Sequence, residues 1–248
     1  MSRIWLCAIA MFSAFSCDRA DAPDCLKSAG DLAVETRSLN GQVSTLELDD
    51  LVHLTVFNHD GGNDYLVVKG PANLLPGVET ALEGSTLRIQ NTNRCNWVRD
   101  LGIRLELELH TSALQHVLYT GQGDVVFADT LVRSSFSLEN RNGTGDLHLR
   151  VHADSLSVVV HTGYSNVLLE GSCTSANYFN QGWGVFNAAR MSGFAVSCNN
   201  SSINEMYVNS VDYLYAFIGS RGNVHFYGNP NRIESGREGS GMLIAAED

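Results

Sequence analysis

The chain has little positive charge and little proline. Only two of its 248 residues are lysines, Lys27 and Lys69, and only four are prolines. Its 27 acidic residues outnumber its 16 lysines and arginines, which gives a formal net charge of −11 at pH 7. A surface of this charge repels the phosphate backbones of nucleic acids and the headgroups of anionic lipids. We therefore expect no nucleic acid partner, and we expect membrane attachment only through a covalent lipid.

The motifs of the common catalytic and metal sites are also missing. The sequence contains no His-Glu-x-x-His, no Cys-x-x-Cys and no Gly-x-Ser-x-Gly. Its eight histidines do not converge at the spacing of a zinc site. No long window beyond the N-terminus carries the 3.6-residue apolar period of a helix. We therefore predict no catalytic residues, no metal and no cofactor, and we do not expect a helical fold.

The one long apolar run lies at the N-terminus. A short basic start at Met1–Arg3 precedes a largely apolar stretch over residues 4–15, which is too short to span a bilayer and is typical of a secretory signal. Ser16 before Cys17 resembles the lipobox of bacterial lipoproteins, in which the cysteine is lipidated; ordinary signal cleavage near this point is the alternative. We predict a signal peptide at 1–16, a lipid-anchored tether at 17–24 and a single domain at 25–248.

A glycine motif returns about every 20 residues through the second half of the chain. Its best copies are Gly-Gln-Gly-Asp at 121–124 and Gly-Thr-Gly-Asp at 143–146. The third position of the motif falls at residues 123, 145, 165, 184, 204, 222 and 241. A regular period of this size is typical of a solenoid, in which each repeat buries its apolar face against its neighbours. The glycines suit corners that need a positive φ, and the Asp that follows can bond the backbone of its own turn.

Apolar residues alternate after each glycine motif, as in Val125 and Phe127 or Leu147 and Leu149. A period of two indicates a strand with one buried face, and most repeats carry a second alternating run. The sequence therefore predicts an all-β fold, a parallel β-helix-like solenoid with coils of about 20 residues.

The predicted solenoid has two unequal parts. Regular coils occupy about 102–245, and residues 103–119 form the first full coil. A less regular β part at about 35–101 contains two hairpins, one from 52–58 with 64–69 and the other from 78–82 with 86–90.

Four of the six cysteines lie beyond residue 17. Exported proteins favour disulfides, and a bond between Cys25 and Cys95 would clasp the N-terminal part. Cys173 and Cys198 differ in phase by about six residues, roughly 15–20 Å of extended chain, which exceeds the Cα separation of about 4.4–6.8 Å in a disulfide. We predict two separate thiols, with Cys198 as a small core residue.

Several further segments stand out beside the glycine repeat. They are Asp-Cys-Leu-Lys-Ser-Ala-Gly-Asp at 24–31, Asn-Leu-Leu-Pro at 73–76, Asn-Arg-Cys-Asn-Trp-Val-Arg at 93–99 and Gly-Asn-Val-His-Phe-Tyr-Gly-Asn-Pro at 222–230. Together they resemble the head GIN domain family of auto-transporter adhesins, which is common among lipoproteins of the Bacteroidetes type. The resemblance covers residues 24–245 and implies a right-handed β-helix-like solenoid with an adhesive role. The chain departs from the family pattern at Val185 and Glu205, where Asp or Asn is usual.

Asp124 and Asp146 are the strongest candidates for an acidic site. They share a phase in adjacent coils, so their carboxylates could approach within about 5 Å. The next coils offer Asn166 and Val185, so the acidic column ends there. We interpret the pair as turn caps; calcium binding is the alternative, although a full ligand set is missing.

Two short segments resemble the Asp-Ser/Thr-aliphatic acceptor for O-glycosylation in bacteria of this type. They place candidate acceptors at Thr130 and Ser155. The alternative is that both residues occupy the same corner of successive coils and are simply repeat positions.

Tyr164 and Trp183 lie between the motif glycines in adjacent coils. Corner residues of a solenoid point outward, and exposed aromatic rings suit sugar rings or a protein partner. We predict ligand binding by this pair; the alternative is that the rings cover Tyr178 or Phe186.

These observations favour a non-enzymatic lipoprotein, exported and lipid-anchored in the envelope of a Gram-negative bacterium. Its β-helix would present a rigid surface for binding or adhesion, with a glycan or a surface protein as partner. The alternative is a carbohydrate-active enzyme or a glycan-binding protein that uses the same surface.

Overall fold

The structure is a computed structural model that describes residues 29–49, 51–59, 61–93 and 104–247. Within these ranges the chain forms strands and no α-helix, with one 3-10 turn at Leu75–Gly77. The strands are β1 Leu32–Ser38, β2 Thr45–Leu48, β3 His53–Asn58, β4 Tyr65–Pro71, β5 Val78–Glu83, β6 Thr86–Asn91, β7 Glu106–Thr111, β8 His116–Tyr119, β9 Val125–Phe127, β10 Leu131–Arg141, β11 Leu147–Thr162, β12 Val167–Asn180, β13 Phe186–Asn200, β14 Met206–Ile218, β15 Val224–Tyr227, β16 Arg232–Arg237 and β17 Leu243–Ala245. The predicted signal peptide, Cys17, Cys25 and Cys95 lie outside the described residues.

Each regular coil has two faces. Strands β11 to β14 run through the bend between the faces without interruption, so each contributes to both, whereas in the preceding coil β9 and β10 are separate strands. Successive strands are parallel and displaced by one coil: Leu149 pairs with Leu169 on the first face, and Val158 pairs with Tyr178 on the second. The predicted all-β solenoid with coils of about 20 residues is confirmed.

The interior is filled by columns of apolar side chains. Phe127, Leu149 and Leu169 occupy one phase on the first face, and all three are buried. His148, one residue from Leu149, lies on the outer face and is only partly buried. Burial of each apolar side chain contributes about 1.5–3 kcal/mol, so the alternation holds the coils together and fixes which residues face outward.

The N-terminal part joins the solenoid through an inserted coil. β2 pairs in parallel with β6 and β8, and β3 pairs in parallel with β7 and β9. β2 and β3 therefore form a coil that lies between β6–β7 and β8–β9. The prediction that residues 103–119 form the first full coil is wrong, because this inserted coil separates β7 from β8.

Only one of the two predicted hairpins forms. β5 and β6 pair antiparallel as predicted, with Val78 opposite Asn91. β3 and β4 do not pair with each other, because β7 lies between them, parallel to β3 and antiparallel to β4. Both strands of the predicted β3–β4 hairpin exist. The prediction of their pairing is wrong because the alternation of apolar residues identifies the buried face of a strand and not its neighbours.

Two of the corner glycines, Gly145 and Gly184, serve close stacking rather than an unusual backbone conformation. Gly145 has no positive φ, yet a Cβ at this position would lie 2.2 Å from the carbonyl oxygen of Gly123 in the preceding coil. A Cβ at Gly184 would lie 1.9 Å from the carbonyl oxygen of Ser165. The expectation that these corners need a positive φ is therefore wrong for Gly145 and Gly184, where the coils approach too closely for a side chain. It is confirmed at Gly163, whose φ is 102°.

Buried asparagines fix the corner from inside, a role that the sequence analysis missed. Asn140 Oδ1 accepts a hydrogen bond from the N–H of Gly143 at 2.7 Å. Asn180 Oδ1 accepts one from the N–H of Gly182 at 3.1 Å. Because the turn backbone is bonded toward the core, the residue between the glycines is directed outward. The recurrence of asparagine at positions 140, 180 and 200 was the sequence signal that could have indicated this role.

Candidate functional site

The glycine corner carries an exposed apolar ridge, formed by Tyr164, Trp183 and Ile203 in three successive coils. Their exposed fractions are 65%, 54% and 42%. All three lie at the position between the motif glycines, where other coils have polar residues such as Thr144 and Arg221. The ridge is therefore a feature of these three coils rather than of the repeat.

The two aromatic rings of the ridge stack on each other. Their centroids are 6.0 Å apart and the ring planes differ by 28°, close to the predicted separation of one coil. Tyr178 and Phe186 are buried and pack against each other with centroids 5.2 Å apart, whereas Tyr164 and Trp183 stay more than half exposed. Tyr164 and Trp183 thus turn one ring face each toward the other.

Backbone bonds between coils hold the ridge in place. The N–H of Tyr164 donates to the carbonyl of Gly143 at 3.2 Å, and the N–H of Trp183 donates to the carbonyl of Gly163 at 2.7 Å. The side-chain amide of Asn204 donates to the carbonyl of Trp183. The ridge therefore sits on a backbone anchored in every coil.

The acidic column beside the ridge is part of the scaffold. Asp124 Oδ1 accepts the backbone N–H of Asp146 at 3.0 Å. Asp146 Oδ1 accepts the backbone N–H and the side-chain amide of Asn166, at 3.4 and 3.0 Å. Asn166 Oδ1 accepts the N–H of Val185 at 3.0 Å. The column does cap turns, but each side chain bonds the next coil instead of its own turn.

A salt-bridge cluster on the outer side of the first face surrounds Glu170. Arg190 Nη1 and Arg150 Nε each lie 3.0 Å from its carboxylate, and His148 Nε2 lies at 3.2 Å. Hydrogen bonds from Arg190 first, then Arg150 and His148, lower the pKa of Glu170 to about 2. This carboxylate is ionised at neutral pH and already bonded, so it is a poor proton donor.

Metal ligands and thiols are the remaining groups that could support chemistry among the described residues. Within those residues, no group of three or more His, Cys, Asp or Glu side chains could hold a metal ion. Cys173 and Cys198 are both free and buried, as predicted. Burial raises the pKa of Cys173 to about 11 and that of Cys198 to about 12, so both thiols are protonated and weakly nucleophilic at neutral pH.

Thr130 and Ser155 occupy different phases of the coil. Thr130 precedes Leu131, which pairs with Val151, whereas Ser155 pairs with Ser135. The interpretation that both are one repeat position at one corner is wrong: Thr130 lies before the bend and Ser155 after it. Ser155 is exposed and Thr130 is half-buried, and O-glycosylation stays a prediction for both.

None of the described residues lies in a helix with the length and apolar character needed to cross a membrane. Asp154, Thr174 and Phe194 form a further exposed row at the bend between the two faces, and no sequence motif indicates it. Their shared phase in successive coils becomes recognisable only once the bend is located in the strand ladder.

Comparison with known proteins identifies a matching family. A family model described as "Putative auto-transporter adhesin, head GIN domain" matches residues 44–230. A search of the curated proteins finds no match.

Solved structures share this fold. A "putative adhesin" from Bacteroides fragilis is similar over 86% of this chain and 97% of its own, with 18% identity and a TM-score of 0.77. A "putative adhesin" from Parabacteroides distasonis is similar over 88% of this chain and 98% of its own, with 15% identity and a TM-score of 0.68. A "putative lipid binding protein" from the same species covers 86% of this chain and 97% of its own, with 20% identity and a TM-score of 0.61.

Proposed function

The chain belongs to the head GIN domain family of auto-transporter adhesins, and from this premise we propose that it is a non-enzymatic lipoprotein of the cell envelope. Cys17 carries the lipid anchor, and the solenoid holds a rigid adhesive surface away from the membrane. The family description and the N-terminal signal-like segment both support this proposal.

The observation that carries the adhesive role is the ridge of Tyr164, Trp183 and Ile203. Exposed aromatic side chains are rare on solvated surfaces and are enriched at protein interfaces. The ridge projects from an anchored corner, so its ordering costs little entropy on binding. Its convex form suits a complementary pocket on a partner.

The ring geometry favours a protein partner at the ridge. A sugar ring packs on the open face of an aromatic side chain, but Tyr164 and Trp183 turn one face each toward the other. The outer faces and edges that remain, with the aliphatic Ile203, fit an apolar pocket in a surface protein. Glycan binding is the second candidate function. It is favoured by a groove at the bend between the two faces, on the opposite corner of the coils from the ridge.

The hydrogen bonding of the acidic residues supports the non-enzymatic part of the proposal. Glycoside hydrolysis needs two carboxylates that are available for proton transfer or nucleophilic attack. Asp124 and Asp146 instead accept backbone hydrogen bonds from the next coil. A screen for turnover of envelope and plant polysaccharides tests this point; turnover that is lost in Asp124→Asn or Asp146→Asn would contradict the proposal.

Binding of the purified protein to collagen, fibronectin, laminin and isolated Gram-negative outer membranes tests the ridge. We expect saturable binding to at least one of these probes, weakened by Trp183→Ala by about 1–3 kcal/mol, or roughly 5- to 150-fold, with little change in Tm. Tyr215→Ala is the matched control, because it removes a partly exposed ring on the other face. Absence of binding to every probe, or equal binding by wild type and Trp183→Ala, would refute a role for the ridge.

A further inference from the structure

A groove of about 640 Å³ follows the bend at which β10 begins and β11 to β13 pass from the first face to the second. It lies at the other corner of the coils from the glycine motif. Its lining includes Val132, His152, Asp154, Ser172, Thr174 and Phe194.

The strand register at the bend directs one row of side chains outward. Ala153 pairs with Cys173 and Ser155 pairs with Ser175, so Asp154 and Thr174 fall outside the ladder. In the next pair of strands, Cys173 pairs with Gly193 and Ser175 pairs with Ala195, so Phe194 also falls outside the ladder. Asp154, Thr174 and Phe194 are all exposed. At one coil per residue, about 4.8 Å each, the row spans about 10 Å along the solenoid axis.

A second row runs parallel to the first. Val132 pairs with His152, and His152 pairs with Ser172, so the three residues stand in register in successive coils. The Nδ1 atom of His152 lies 2.9 Å from Ser172 Oγ. This hydrogen bond fixes the imidazole in the groove and leaves its other ring nitrogen for a ligand.

The first row is unpartnered within the part of the chain that the structure describes. No described residue forms a hydrogen bond or an ion pair with the Asp154 carboxylate or the Thr174 hydroxyl, unlike the Glu170 carboxylate on the neighbouring face. Phe194 is 53% exposed and no described ring stacks on it. In contrast to the ridge, the groove thus combines an open aromatic face with free hydrogen-bonding groups.

The groove carries one positive and one negative side chain, so its charge does not favour an anionic ligand. Arg133 lines it but donates to the carbonyls of Leu114 and Val132, at 2.8 and 2.7 Å, and to Asn58 Oδ1 at 3.2 Å. These acceptors are neutral, so Arg133 keeps its positive charge, but its N–H groups are already bonded. Asp154 provides a negative charge with no cation bonded to it. A neutral, hydroxyl-rich ligand can donate to this carboxylate, whereas a uronic acid or phosphate would meet its repulsion.

We propose that the groove binds a neutral hexose chain laid along the solenoid axis. One sugar ring stacks on Phe194, and hydroxyl groups of the following rings bond Thr174, Asp154 and His152. The spacing of the row fits the spacing of the sugar rings, because an extended sugar chain advances by about one ring for each coil of about 4.8 Å. This site is separate from the ridge. The proposal therefore specifies the second candidate function, glycan binding, and does not depend on protein binding at the ridge.

Calorimetric titration of the purified chain tests the groove, with cellohexaose, mannohexaose and chitohexaose as neutral probes and hexagalacturonate as the anionic comparison. We expect at least one neutral hexasaccharide to bind and hexagalacturonate not to bind. Phe194→Ala and Asp154→Ala should each weaken binding at least tenfold, while Tm changes little because both side chains are exposed. Trp183→Ala and Tyr215→Ala should bind the sugar as wild type does.

The outcomes separate the two proposals. The proposed sugar site in the groove would be refuted if none of the three neutral probes binds, or if the protein prefers hexagalacturonate. Sugar binding that survives Phe194→Ala but is lost in Trp183→Ala would also overturn it, because the sugar site would then be the ridge. Loss of protein binding in Trp183→Ala with sugar binding intact supports both proposals, whereas intact protein binding in that variant counts against the ridge alone.

Discussion

Asp124 and Asp146 lie one coil apart, and Asp124 Oδ1 accepts the backbone N–H of Asp146 at 3.0 Å. The same relationship joins Asn166 to the N–H of Val185 at 3.0 Å. A carboxylate and a carboxamide therefore perform the same task in adjacent coils, since only one acceptor oxygen is required. The column ends at Val185, because its backbone N–H donates to Asn166 but its apolar side chain offers no acceptor to the next coil.

This relationship predicts a difference between two substitutions of Asp146. Asp146→Asn keeps an acceptor oxygen and should change the free energy of unfolding by less than about 0.5 kcal/mol. Asp146→Ala leaves the N–H of Asn166 without its side-chain partner and should cost about 1 kcal/mol. Chemical denaturation measures both. Stabilisation of the wild type by millimolar calcium, lost in Asp146→Asn, would show instead that the carboxylates bind a metal.

The close approach of coils predicts that Gly145 cannot be replaced. A Cβ there would lie 2.2 Å from the Gly123 carbonyl oxygen, so Gly145→Ala should destabilise the protein by about 1–3 kcal/mol through overpacking. Gly41→Ala is the control, because its Cβ would meet nothing nearer than a Leu82 methyl at 3.4 Å. Thermal unfolding should distinguish them, and equal Tm values would contradict the close stacking of the coils.

The register of the first face predicts unequal effects at adjacent residues. Leu149→Ala should cost about 2–5 kcal/mol, because it opens a cavity in a buried column. His148→Ala removes a partly exposed contact with Glu170 and should cost less than about 1 kcal/mol. Urea unfolding of both variants checks the prediction. Similar losses would mean that the strand is displaced by one residue, which exchanges its faces.

The salt-bridge cluster predicts a pH dependence of stability. The pKa of Glu170 is about 2 in the folded protein, compared with an ordinary value of 4.5. Its stabilisation is therefore full above about pH 4.5 and is lost as the pH falls through about 2. Glu170→Gln should be less stable than wild type at pH 7, and the difference should shrink toward pH 2.

Urea midpoints of the wild type and Glu170→Gln across this range provide the measurement. Glu83→Gln serves as the control, because that side chain is 72% exposed and its nearest cation is 4.0 Å away. A difference between wild type and Glu170→Gln that stays constant from pH 7 to pH 2 would contradict the assigned role of the cluster.

The lipid anchor can be tested by Cys17→Ser. If Cys17 carries the lipid, this change should move the protein from the membrane fraction to the soluble fraction, because the net charge of −11 does not favour anionic headgroups. Circular dichroism should show an unchanged β fold. Persistent membrane association of the variant would refute the lipoprotein assignment.

Much of the fold could be predicted from the sequence, because each coil repeats a local pattern. The alternation after Gly145 placed Leu149 inside and His148 outside, and the structure agrees. The glycine period also placed Tyr164 and Trp183 on one corner. The inserted coil of β2 and β3 could not be predicted, since it depends on pairing between strands that are distant in sequence.

The groove escaped the sequence analysis for a related reason. Asp154, Thr174 and Phe194 share no residue type, so no motif connects them. Their common phase has meaning only once the bend is located, and the bend appears in the structure as a skipped pair in the ladder.

The sequence by itself determined the coil length, the buried face of each regular strand and the outward position between the motif glycines. These follow from local rules, since side chains alternate along a strand and coils stack at a fixed spacing. Only the tertiary structure decided which strands are neighbours, why Gly145 must lack a side chain, and what the two corners present. Those properties depend on distances between residues in different coils: Gly123 against Gly145, the ring of Tyr164 against that of Trp183, and Asp154 in line with Phe194.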